Sequence, residues 1–180
     1  MFKWWDVLAD DDRQQWTLAP FVSVGPLRFG MSPGEVSKAL SGVTSESQRH
    51  RVRRSSNGTV VTVEEGRYQE FGLTLYYRQE RLAGVVVDAL RGPQVCAESV
   101  ALVGRVPSVL EQWMVDRAQA REPESDLFYV DAGVPGSETL GVVIDVQRAG
   151  DNLLTRPVLV PSEALDDLSH FLPRAAWSLC

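Results

Sequence analysis

One pattern recurs in this chain and limits how it can fold: a glycine three residues ahead of a proline, opening a short apolar stripe at helical spacing. Gly30, Pro33, Val36 and Leu40 are matched by Gly104, Pro107, Leu110 and Met114 at an offset of 74 residues. In the first copy Ser32 suits the N-cap, Pro33 the first helical position and Glu35 the third, which makes a capping box, and Gly42 ends the helix. Ser108 and Glu111 repeat the capping-box spacing in the second copy, with Leu110, Trp113, Met114 and Arg117 on one face. Strand patterns follow each helix. Residues 59–63 are β-branched throughout, Phe71, Leu73, Leu75 and Tyr77 alternate, and 82–89 completes a three-stranded meander. Strand patterns in the second half fall at 127–130, 139–147 and 158–160. Leu75-Tyr76-Tyr77 resembles Leu127-Phe128-Tyr129 at an offset of 52, and Gly84-Val85-Val86-Val87-Asp88 resembles Gly141-Val142-Val143-Ile144-Asp145 at an offset of 57.

The expected fold is therefore α+β: two diverged helix-then-antiparallel-strands units, residues 22–90 and 98–160, built into a single domain over 1–180. Units of that size are marginal alone, so they should share a sheet or pack as one body. Two flanking helices are expected. Trp5, Leu8, Ala9, Asp12 and Trp16 fall on one side of a helix over 4–16. Pro161-Ser162-Glu163 opens another over 162–172, with Leu165, Leu168, Phe171 and Leu172 inward and Pro173 as its stop.

Composition narrows the setting. Of 180 residues 44% are hydrophobic, enough to bury a core, yet no apolar run reaches the roughly 20 residues of a membrane helix. The first residues lack the apolar stretch of a secretory signal, and two cysteines, Cys96 and Cys180, make neither a disulfide framework nor a four-ligand metal site. A reduced cytoplasm is the expected compartment. A net charge of −6 argues against a nucleic-acid surface and admits basic partners.

The string Gly30-Met31-Ser32, then Val36, then Leu40, resembles the G-M-[ST]-x-x-x-V-x-x-x-L helix opening of the BamE/SmpA-OmlA group and of the β-lactamase-inhibitory proteins. That resemblance implies a helix packed on an antiparallel sheet, carried twice in tandem in the inhibitory proteins, and a protein-binding scaffold. The chain departs from those families in having no lipobox cysteine and no pair of disulfides, and the second copy lacks Met-Ser.

Motifs for catalysis are sparse. The chain has two histidines, His50 in an arginine-rich stretch and His170 near the end of the last helix, and no G-x-S-x-G elbow. Neither zinc-ligand spacings, a calcium loop nor a glycine-rich phosphate loop occurs, so no metal and no nucleotide or redox cofactor is expected. Three residue sets remain as candidate sites. Trp5 and Trp16 with Asp10, Asp11 and Asp12 form a contact surface on the first helix, tryptophan anchoring a complex whose acids steer a basic partner. Arg49, Arg51, Arg53 and Arg54 lie in the polar stretch 41–58, as a solvated loop or a contact for an anionic partner. Asp88, Asp145 and Glu64 end strand patterns and would serve acid–base chemistry if they met in a cleft between the units.

The leading expectation is a protein-binding module of the immunity or inhibitor type, acting on a basic toxin or effector. A small enzyme or ligand-binding domain using the three carboxylates is the alternative, and an assembly subunit using the first helix is a third.

Overall fold

The computed structural model describes residues 5–43, 45–53, 57–121, 126–130 and 133–177. Its strands fall into two sheets. The smaller holds β1 (Gln15–Ala19), β2 (Ser23–Val24), β3 (Leu27–Arg28), β8 (Gln94–Ala97) and β9 (Val100–Ala101), in the order β3-β2-β1-β8-β9. The larger runs, edge to edge, through β10 (Leu127–Val130), β11 (Val134–Ser137), β12 (Val142–Ala149), β13 (Asn152–Leu159), β7 (Arg81–Val87), β6 (Leu73–Arg78), β5 (Val60–Tyr68) and β4 (Glu46–Arg53). Every neighbouring pair in this eight-stranded sheet is antiparallel.

This is a β-rich fold, which corrects the α+β expectation. The helices are small: α1 (Pro33–Ala39), α2 (Pro107–Gln119), α3 (Leu168–Phe171) and α4 (Arg174–Trp177). The helix expected over 4–16 is not formed by the described residues from Trp5 onward. Asp10–Asp12 form one 3-10 turn, and Trp16 belongs to β1. The reason is the local period: in Gln15-Trp16-Thr17-Leu18 the burial alternates, and Trp16 and Leu18 point inward. β1 then pairs in parallel with β8, Trp16 opposite Val95, a partner nearly eighty residues away in sequence. The expected terminal helix is likewise broken, into a 3-10 stretch Ser162–Asp167 and the single turn α3.

The N-terminal signals of α1 are realised in full, whereas at its other end Leu40 is the C-cap and Ser41, ahead of Gly42, is the first residue with positive φ. Ser32 Oγ accepts from the Glu35 N–H while the Glu35 carboxylate accepts from the Ser32 N–H. At α2 the proline does start the helix, but the N-cap is Val106 and no side chain caps it, so Ser108 and Glu111 form no capping box.

The eight-stranded sheet is covered on both faces at its centre. On one face Leu75, Tyr77, Val85 and Val87 join Val36 of α1, Leu110 and Met114 of α2, and Trp16 and Val95 of the small sheet in one core. On the other, Tyr76, Val86, Val143 and Val158 meet Ala164, Phe171, Leu172 and Ala176 of the C-terminal segment. Residues 82–87 are therefore all buried, and the string Leu-Ala-Gly-Val-Val-Val shows no alternation. A Cβ at Gly84 would lie 2.8 Å from Leu172, so the bare glycine lets the C-terminal segment lie flat on β7.

Each half carries a helix followed by four antiparallel strands, and the halves meet where β7 pairs β13, Val86 opposite Val158 and Val85 opposite Leu159. By place in the meander β13 corresponds to β7 and β12 to β6. The matches of Gly84 with Gly141 and of Leu75-Tyr76-Tyr77 with Leu127-Phe128-Tyr129 therefore join strands that are not equivalent. Gly141 precedes β12, and residues 127–129 lie in the edge strand β10.

Candidate interaction surface

The N-terminal segment is held down by one buried cation. The Arg13 guanidinium donates to the carbonyls of Leu8 (3.0 Å), Gly92 (2.6 Å) and Ala89 (2.8 Å). The Leu8 N–H adds a bond to the Leu90 carbonyl at 2.7 Å. Burial lowers the Arg13 pKa, against the neighbouring charges of Asp10 and Asp88, which raise it.

Arg105 makes the second tie. Its N–H donates to Thr155 Oγ1 at 2.8 Å, its carbonyl accepts from the Thr155 N–H at 2.9 Å, and its guanidinium bonds Asp10. Burial alone would raise the Asp10 pKa, but hydrogen bonds from Arg105 and Gln94 and the charges of Arg105 and Arg13 outweigh it and bring it below its ordinary value. Asp10 is thus a staple between the first turn, β8 and the start of α2.

These ties gather one corner of the molecule from three distant parts of the sequence. Trp5 lies 58% exposed with its ring against Gly150, in the turn between β12 and β13. Leu153, in the following strand, is 55% exposed, and Val106 and Val109 at the start of α2, which packs on β13, are 56% and 61% exposed. Val7 and Leu8 add exposed apolar groups along the N-terminal segment, Asp11 and Asp12 are exposed acids of the same segment, and Asp151 is an exposed acid next to Gly150. Exposed aliphatic and aromatic groups grouped in this way mark interaction sites more often than single ones do.

Trp5, Asp11 and Asp12 of the first candidate set therefore sit on this surface. Trp16 does not: it is 7% exposed, packed in the core, and cannot touch a partner. Val106, Val109 and Leu153 were not legible as surface residues, because an apolar residue on a helix or strand pattern reads as core until the packing direction is known.

The arginine stretch is a strand. Arg49 lies 3.3 Å from Glu64 across the β4–β5 pair, and Arg51 is exposed opposite Thr62. Arg53 ends β4, and Arg54 lies outside the described residues, as does Cys180. On the opposite face of β4, His50 Nε2 is 2.7 Å from the Glu65 carboxylate, which also accepts from Arg67. Burial, then the Glu65 charge, raises the pKa of the adjoining Tyr76 phenol.

The three carboxylates do not meet. Glu64 shares a face with Arg49 and Tyr77, whereas Asp145 lies on the other face, buried against Arg156 at 3.3 Å. Asp88 is occupied by the N–H groups of Leu90 and Arg91 and by Gln147 at 2.9 Å. No cleft collects them, because in a sheet the strand register decides the face and the sequence does not display the register. The second buried ion pair is structural as well, since Arg117 on α2 bonds Glu98, Asp126 and Thr139, tying the helix to the β8–β9 turn and to the far end of the large sheet. His170 bonds Asp167, one turn before it, at 2.8 Å.

Among the described residues no helix is long and apolar enough to cross a membrane. Comparison with protein-family models, with curated proteins and with solved structures finds no match for this chain.

Proposed function

We propose that the protein is a cytoplasmic protein-binding module of the immunity or inhibitor type, and that its partner is a basic protein such as a toxin or effector domain. The observation that carries this reading is the corner around Trp5: an exposed indole against Gly150 of the β12–β13 turn, with Leu153 exposed in the next strand. Val106 and Val109 are exposed beside the Arg105 that ties Thr155 to Asp10, and the exposed acids Asp11, Asp12 and Asp151 are on the same segments. A large flat aromatic group with aliphatic neighbours supplies the desolvated centre of an interface, and carboxylates at its rim accelerate encounter with a cationic surface. The net charge of −6 acts in the same direction at longer range. The likeness of Gly30-Met31-Ser32, Val36 and Leu40 to the helix opening of inhibitory scaffolds adds support of a separate kind.

A photo-cross-linking residue placed at Val109 in the living cell tests the reading. It should capture one predominant basic protein, and Trp5→Ala should remove most of that product while leaving the melting temperature unchanged. Equal cross-linking with and without Trp5, or capture of many unrelated proteins, would contradict it.

A further inference from the structure

The basic stretch is not used by the Trp5 corner, and its place in the sheet gives it a different meaning. β4 is the outer strand of the eight-stranded sheet, paired through eight unbroken positions to β5, from Glu46 opposite Arg67 to Arg53 opposite Val60. The other sheet edges are short: β10 has four residues, and β3 and β9 have two each. Edge strands are ordinarily protected by brevity, bulges or proline, since a long straight edge offers a row of free N–H and C=O groups to any extended chain. β4 is neither short, bulged nor broken by proline; α3 packs on the face that buries Val52, and the arginines are the charge that guards the edge against unselective pairing. No backbone bond from another described element reaches its outer side, and residues 46–49 and 51 are exposed.

What β4 does have is charge of one sign on one face. Arg49 and Arg51 project from the same side, and the facing acid, Glu64, pairs with Arg49. The opposite side offers the half-buried His50 and the buried Val52. Such an edge repels another basic strand and attracts an acidic one. We propose that β4 docks an extended acidic segment of a partner protein, which adds to the sheet as a further strand. Its acidic residues alternate with apolar ones, the acids facing Arg49 and Arg51 and the apolar residues lying beside His50 and Val52. Backbone hydrogen bonds supply the affinity and the alternation supplies the specificity.

Capped nine-residue peptides test this on the intact chain: alternating Asp and Val, alternating Lys and Val, and the Asp–Val peptide N-methylated at every second residue in either phase. The Asp–Val peptide should bind, shifting the amide resonances of β4 first. One N-methylated phase should lose binding and the other keep it, and the Lys–Val peptide should not bind. The Arg49→Glu/Arg51→Glu variant should bind the Asp–Val peptide about tenfold more weakly. Arg51→Glu alone, opposite an exposed threonine, gives the same direction if the double variant folds poorly. The proposal is overturned if the Asp–Val peptide fails to bind or if both N-methylated phases bind equally. It is also overturned if tripolyphosphate or a single-stranded oligonucleotide shifts the same amides as strongly, which would make the edge a general anion surface. Self-association through β4 in the absence of peptide would assign the edge to a second copy of the chain instead.

Discussion

Two tryptophans eleven positions apart show how much depends on where one side chain points. Trp16 stands on the inward side of β1, and its ring fills the space where a Cβ at Gly25 would sit, in a turn whose φ of +56° also favours glycine. Trp16→Ala should cost about 3–5 kcal/mol of stability, whereas Trp5→Ala should leave thermal unfolding unchanged, as calorimetry on both variants will show. Helical spacing places both tryptophans on one stripe, and only the alternation in 15–18 separates them, a signal four residues long. Buried charges differ just as sharply. Burial pushes the Asp126 carboxyl up, but hydrogen bonds from Thr139 and Ser137 and the Arg117 charge bring it below the usual carboxylate value. A carboxyl lowered by folding adds stability that is present above its unfolded pKa and is lost as pH falls through the folded one. Asp126→Asn should therefore flatten the decline of stability below about pH 4, measured by denaturant titration across the acid range. Asp145 runs the other way: burial dominates and raises its pKa, and its backbone and Arg156 contacts do not offset it.

At the level of single elements, the pair Asp145–Arg156 on neighbouring strands β12 and β13 gains little over an apolar pair, since both ions are shifted toward their neutral forms by burial. Replacing both, Asp145→Leu with Arg156→Met, should keep or raise the melting temperature, while Arg156→Met alone should lower it by leaving a buried carboxylate unpaired. Helix ends allow a second comparison. Ser32→Ala should cost about 1 kcal/mol by removing the α1 cap, and Ser108→Ala almost nothing, because α2 begins from Val106 without a side-chain cap. Where the code is local it was legible: Pro33 and Pro107 mark both helix starts. It was not legible in β4, whose edge position leaves most of its residues in water and removes the apolar alternation that identifies a strand. The first segment misled for a related reason, since the partner that makes β1 a strand is β8, far along the chain. Of the candidate surface, Trp5, Asp11 and Asp12 could be picked out from composition, but Val106, Val109 and Leu153 join them only through the Arg105–Thr155 and Arg105–Asp10 ties.

Across the whole molecule, α1, α2, the small sheet and the centre of the eight-stranded sheet share one apolar cluster that draws residues from both halves. Unfolding should be a single cooperative transition, with calorimetric and van't Hoff enthalpies in agreement; two resolved steps would show that the β7–β13 junction merely joins independent halves. Similar strings in the two halves, such as Gly84-Val85-Val86 and Gly141-Val142-Val143, reflect strands buried on both faces rather than equivalent positions. The same packing fixes what stays outside, and the Trp5 corner is the surface on which the proposed function stands. Its most direct test is the dissociation rate of the partner captured from Val109, measured for the unaltered protein, Trp5→Ala and Trp16→Ala beside their melting temperatures. Trp5→Ala should speed dissociation by a factor corresponding to about 2 kcal/mol or more at unchanged stability, and folded Trp16→Ala should dissociate at the normal rate. Normal dissociation of Trp5→Ala, or rapid dissociation of folded Trp16→Ala, would contradict the assignment of this corner as the binding surface.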